Sequence, residues 1–118
     1  MTSDANSVFL YLTTTGRTSG EPRQIEIWFV EHEGCYYMVA ESGDKAHWVR
    51  NIMANPLVTF SIGTREDNAA HRPPTRAGGR ILPPEDDPAL ISAIAALMDA
   101  KYGWGSGLTV ELIPHEGV

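Results

Sequence analysis

Thr13-Thr14-Thr15-Gly16-Arg17-Thr18-Ser19-Gly20-Glu21-Pro22-Arg23 and Glu41-Ser42-Gly43-Asp44-Lys45-Ala46-His47-Trp48-Val49-Arg50-Asn51 are the two ends of one informative segment. The first is a turn carrying hydroxyls, two glycines and two arginines. The second is a glycine turn that opens into a short helix. Between them, Gln24 to Val30 alternates: Ile25, Ile27 and Phe29 on one face, Gln24, Glu26 and Trp28 on the other. Glu33-Gly34 is a tight hairpin signal, and Cys35 to Ala40 is the return strand. So short a hairpin should bring its outer ends side by side, with the arginine turn and the His47-Trp48-Asn51 helix at one corner.

Working outward, Val8 to Leu12 and the threonines after it read as a strand, because β-branched and aromatic residues dominate. Trp48, Ile52 and Val49 supply the apolar side of the short helix, which Asn55-Pro56 ends. Leu57 to Gly63 is a third clear strand. Arg65 to Gly79 holds Asn68, Pro73, Pro74, Gly78 and Gly79 with few apolar residues, and reads as an irregular edge strand or a mobile loop. Arg80-Ile81-Leu82 is a short strand end. Pro83 to Pro88 starts a helix, with acids where the dipole favours them. Ala89 to Tyr102 is helical, with Leu90, Ile91, Ile94, Leu97 and Met98 as its buried stripe, and Gly103 to Gly107 stops it. Leu108 to Ile113 is the last strand. Consecutive strands with one longer helix before the last strand predict a mainly β (α+β) fold. The expected form is an antiparallel barrel with helices attached, not a βαβ fold.

At 118 residues the whole chain, 1–118, reads as one domain with a modest core, which pairing into a homodimer would help. A hydrophobic fraction of 42% excludes a disordered chain. The net charge of −6 argues against a nucleic-acid partner. No apolar run approaches the roughly 20 residues of a membrane helix. Met1 to Asn6 lacks the basic start and apolar core of a signal peptide. Cys35 is the single cysteine, so an internal disulfide is excluded and a cytoplasmic protein is expected.

Chemistry concentrates in few residues. Arginine forks at Arg17 and Arg23 suit phosphate or carboxylate, and Thr18, Ser19 and turn N–H groups add donors; a solvated hairpin tip is the plainer reading. Spacings of three and four bring His47 and Trp48 near Asn51. Trp48 could wall a flat ring and Asn51 could meet a heterocycle edge; otherwise Trp48 is core and Asn51 a cap. Trp28, on a polar strand face, lines either a cleft or a dimer interface. Tyr36 and Tyr37 point to opposite faces, which puts one of them in the core. Tyr102 and Trp104 are packing residues or a substrate-cleft wall. His32, His47, His71 and His115 are too scattered for a metal site, and no Gly-x-Ser-x-Gly elbow or Gly-x-Gly-x-x-Gly loop is present. Cys35 has no adjacent base and reads as structural.

Taken together, Leu12 to Arg23 and Trp48-Val49-Arg50-Asn51-Ile52-Met53-Ala54-Asn55-Pro56 closely resemble the deazaflavin-dependent nitroreductase family. The resemblance runs from about Val8 to Gly63 and again over Leu97 to Trp104. It implies a split β-barrel of the flavin-binding type, with coenzyme F-420, a deazaflavin with a phosphorylated, glutamylated tail, as cofactor. By position, Arg17, Thr18 and Arg23 would meet the tail, Ile27, Trp28 and Ser42 would line the ring, and Trp48 and Asn51 would close it. The implied reaction is hydride transfer to an electron-poor small molecule such as a quinone or nitro compound. The family often has Lys where Thr18 stands, and a longer segment between Ser42 and Trp48. Lys45 is then expected to supply the missing charge. FMN in the same barrel, or a non-catalytic carrier of a flavin-like or hydrophobic ligand, are the alternatives.

Overall fold

A computed structural model describes residues 8–66 and 73–115. Its seven strands are β1 (Phe9–Thr15), β2 (Pro22–Ile27), β3 (Val30–His32), β4 (Cys35–Ala40), β5 (Leu57–Gly63), β6 (Thr75–Leu82) and β7 (Leu108–Pro114). Two helices join them: α1 (His47–Ala54), preceded by a 3-10 turn at Gly43–Lys45, and α2 (Pro88–Tyr102). All strands belong to one antiparallel sheet in the order β2-β1-β5-β6-β7-β4-β3. This is the expected mainly β barrel with its two helices.

The two edges of that sheet, β2 and β3, are joined by only two residues, Trp28 and Phe29. Ile27 and Val30 are three Cα–Cα steps apart and so at most about 11 Å, which means the sheet must curl until its edges nearly meet. The predicted single strand from Gln24 to Val30 is therefore two, broken where the barrel splits. Its alternating pattern hid the break, because Ile27 and Phe29 both still pack on the core. The Trp28-Phe29 link lies outside every ladder, so its polar groups need other partners. Phe29 N–H donates to the Tyr102 hydroxyl at 3.1 Å, which donates to the Phe29 carbonyl at 3.0 Å. Lys101 Nζ donates to the same carbonyl at 2.8 Å.

Inside the barrel lie Leu10, Leu12, Met38, Val110 and Leu112, all fully buried, with Phe60, Val58 and Phe29. Helix α1 closes one end through Val49 and Ile52. Helix α2 covers the outer face near β3 and β4, where Ile94 and Met98 meet Val30, Tyr37, Val39 and Leu82. Tyr36 and Tyr37 are therefore both packed, one toward each layer. Asp87 caps α2 by accepting from Leu90 N–H at 3.2 Å. Leu97, placed in the buried stripe from sequence, is 39% exposed, because the helix touches the sheet along a narrower face.

The Arg65–Gly79 reading needs correction. Its residues 67–72, with Asn68 and His71, lie outside the described residues. From Thr75 onward, however, the chain is an eight-residue interior strand, paired with β5 on one side and β7 on the other. Glycine stands there because a helix comes close. A Cβ on Gly79 would lie 3.0 Å from Cγ2 of Ile52 on α1.

Candidate functional site

The β1–β2 turn is built around Gly16. Its N–H donates to the Glu21 carbonyl at 2.8 Å, and Gly20 N–H donates back to the Gly16 carbonyl at 2.8 Å. A Cβ on Gly16 would fall 2.6 Å from Ser19 Oγ and 3.2 Å from the Glu21 oxygen, so a larger residue would have to push the Ser19 hydroxyl out of its place in the turn. Ser19 Oγ accepts from Glu21 N–H at 3.2 Å and from the Arg23 guanidinium at 3.3 Å. The serine thus holds the turn and aims Arg23, keeping its own proton free to donate.

Asn51 ties this turn to α1. It is buried, and its Oδ1 accepts from the Arg17 side chain at 2.8 Å and from Arg17 N–H at 3.2 Å. Its Nδ2 donates to Thr14 Oγ1 at 3.1 Å. The second Arg17 nitrogen lies 3.3 Å from Nδ1 of His47 and donates to it when that nitrogen carries no proton. The turn and the helix do share a corner, but not as an end of one hairpin. Strand β2 pairs with β1, and β4 pairs with β3 and β7. Barrel closure brings the two together.

Two cavities open on this corner. One, about 550 Å³, is lined by Arg17, Thr18, Ser19 and Arg23 of the turn and by His47, Trp48 and Asn51 of α1. The other, about 530 Å³, is mostly apolar: Ile27, Trp28, Val39, Ala40, Ala46, Trp48 and Trp104, with Glu41 and Ser42 at its polar edge. Trp48 lines both. Ser42 makes no side-chain capping bond to the 3-10 turn, so its hydroxyl is uncommitted there. Trp28 does not sit on a strand face, as its sequence position suggested. It stacks on Tyr102 at 4.4 Å with rings 2° from parallel, and meets the edge of Trp104 at 6.3 Å.

Nine of the ten residues singled out from sequence line one of these cavities: Arg17, Thr18, Ser19, Arg23, Ile27, Trp28, Ser42, Trp48 and Asn51. Asn51 lies on the basic side rather than the ring side, and its amide is committed to Thr14 and Arg17. Lys45 lines neither cavity. Val39, Ala40 and Glu41 were missed. Their only sequence signal was position, at the end of a strand running into the Ser42 turn.

The titratable groups with shifted pKa values lie elsewhere. Burial, then hydrogen bonding and charge from Glu111, push the Tyr37 phenol well above its usual range. Tyr37 donates to Glu111 at 2.8 Å and Arg80 donates to the other carboxylate oxygen at 3.1 Å. Burial and Glu111 also push the Cys35 thiol up, which keeps it a poor nucleophile. Outside the sheet edge, the Arg65 guanidinium holds Glu26 below the usual carboxylate range. Among the described residues, no group of three His, Cys, Asp or Glu could hold a metal.

A seven-stranded sheet curled into a split barrel, with an apolar slot beside an arginine pocket, defines the class by its fold: the split β-barrels. The heme storage protein HutZ from Vibrio cholerae has this fold, with TM-score 0.73 at 20% identity over 92% of this chain and 82% of that one. So does a putative pyridoxamine 5′-phosphate oxidase from Listeria innocua, with TM-score 0.66 at 14% identity over 92% and 84%. Within the class, the chain belongs to the F420H(2)-dependent quinone reductase family, whose model matches residues 4–80. An F420-H2 dependent reductase, FDR-A, is 26% identical over 88% of this chain and 92% of that one, with TM-score 0.53. No curated protein matches. The protein is thus an oxidoreductase, and its cofactor is coenzyme F-420, as the resemblance implied. The donor set fits that group: two arginines beside one cavity suit an anionic tail, and the adjoining cavity is flat-walled and nearly uncharged. Among the described residues, no helix is long and apolar enough to cross a membrane.

Proposed function

We propose that the chain reduces a quinone by two electrons, taking a hydride from reduced coenzyme F-420. The observation carrying this reading is the pair of cavities that share Trp48. An elongated ligand with a flat ring and an anionic tail would occupy both, leaving the Trp28 end of the apolar cavity for the acceptor. Arg17, Arg23, Thr18 and Ser19 bind the tail by charged and neutral hydrogen bonds. Ile27, Ser42 and Trp48 orient the ring and keep water from its face. When bound, the coenzyme supplies the hydride, so the chain needs no nucleophile. The hydride and one proton turn the quinone into a hydroquinone. The Ser42 hydroxyl is available to hydrogen-bond the oxygen that gains the proton.

Glu41 is the charged residue at the apolar cavity, which disfavours an anionic acceptor. Nitro compounds are flat and electron-poor too and are weaker candidates for the same slot. Trp28 is 41% exposed, and Leu57 and Ile113 lie on either side of Gly78 in one row of the outer face. A homodimer that covers such surface belongs to the same proposal. Steady-state assays with reduced coenzyme decide the acceptor. A neutral naphthoquinone should give a higher kcat/KM than its carboxylated analogue or a nitroarene, and Glu41→Gln should narrow the first gap. Equal rates for all three would remove the quinone assignment.

A further inference from the structure

We propose that Tyr102 is a positioning residue, which presents Trp28 as the acceptor-side wall of the apolar cavity. This rests on the reductase reading above.

The two ends of the apolar cavity are not equivalent. Trp48 lines both it and the arginine cavity, so Trp48 marks the cofactor end. Trp28 and Trp104 line the apolar cavity and not the arginine cavity, together with Val39 and Ala40. A second flat molecule therefore meets Trp28. An electron-rich indole face suits an electron-poor ring, which is the acceptor chemistry at issue.

Trp28 has little local reason to stay in place. It falls in the two-residue link at the split of the barrel, outside every ladder, and is 41% exposed. Tyr102, 74 positions later in the chain, holds it in two ways at once. Its hydroxyl bonds both polar groups of Phe29, the next residue, at 3.1 and 3.0 Å. Its ring covers one face of the indole at 4.4 Å, nearly parallel. Trp104, two residues further on, bears on the indole edge. Lys101 adds a bond to the Phe29 carbonyl at 2.8 Å and stands 4.0 Å from the centre of the Phe29 ring. The last turn of α2 thus grips the link by backbone and by ring together. Burial of the Phe29 side chain needs only the link's position; the stack additionally fixes which way Trp28 faces.

Tyr102→Phe keeps the stack and removes the hydroxyl, whereas Tyr102→Leu removes both. For a naphthoquinone, KM should rise about threefold in the first and about tenfold in the second, with kcat changed less than about twofold. The dissociation constant for coenzyme F-420, measured by calorimetry without acceptor, should stay within about twofold, since Trp48 and the arginines are untouched. Loss of coenzyme affinity in step with KM would mean a general structural role and overturn the proposal. So would an unchanged KM in folded Tyr102→Leu. A coenzyme-free readout keeps the test separate from the reductase reading. In a Trp48→Phe/Trp104→Phe background, acrylamide quenching reports Trp28 alone. Adding Tyr102→Leu should raise the quenching constant at least about twofold, because one ring face is uncovered. No increase would overturn the proposal even if the chain reduced no quinone at all.

Discussion

Asn51 shows why residue types alone left the site half-read. Its amide could equally have met a ring edge or held a neighbouring segment, and its spacing from Trp48 is the same in either case. The structure commits it to Thr14 and to Arg17, so it shapes the arginine pocket from beneath. Asn51→Ala leaves Thr14 Oγ1, itself 2% exposed, without its partner. The expected loss is about 1–3 kcal/mol of stability by chemical unfolding, with weaker coenzyme binding as Arg17 loosens. Asn51→Asp should keep the Arg17 bond, with the Thr14 hydroxyl turning to donate to the carboxylate, and should therefore cost less than Asn51→Ala. Tyr37 makes a second prediction. Its folded pKa is raised, so its contribution is complete below the ordinary phenol value of about 10 and is lost as pH rises toward the folded value. The melting temperature should fall above about pH 10, and fall less steeply in Tyr37→Phe, which starts lower for want of the Glu111 bond.

Elements with a clear period were legible: β1, β5, β7, the Glu33-Gly34 hairpin and α2 all stand where the pattern put them. Glu33 and Gly34 adopt φ of 52° and 84°, as a tight hairpin of that kind requires. Strand β6 was legible only at its Arg80–Leu82 end, because its residues at Gly78 and Gly79 are chosen for what approaches them. A strand that makes room for a helix has few apolar side chains to announce it. The contact with Ile52 gives a direct test. Gly79→Val should destabilise the protein by about 1–3 kcal/mol through overpacking, while the same change in an Ile52→Ala background should cost less. Additive effects in that cycle, read by thermal or urea unfolding, would show that α1 does not rest on β6 as described.

Strand order is a property of the whole molecule, and no local pattern encodes it. Sequence reasoning put the arginine turn and the Trp48 helix together through a hairpin that does not exist in that form. They meet because the sheet curls and its edges are joined at Trp28 and Phe29. The corner itself is borne out, since Asn51 of α1 bonds Arg17 of the turn. The path to it was wrong because β2 and β4 each pair elsewhere. The same closure leaves Trp48 shared by the arginine cavity and the apolar cavity, which is the centre of the functional account. Calorimetric titration of coenzyme F-420 into the wild-type chain and into Arg17→Ala/Arg23→Ala tests that account most directly. The wild type should bind one coenzyme per chain, and the double variant, shown to be folded, should bind at least about tenfold more weakly, since charged hydrogen bonds are worth about 1.5–3 kcal/mol each. Unchanged affinity in the double variant, or a wild type that takes FMN and not the deazaflavin, would contradict it.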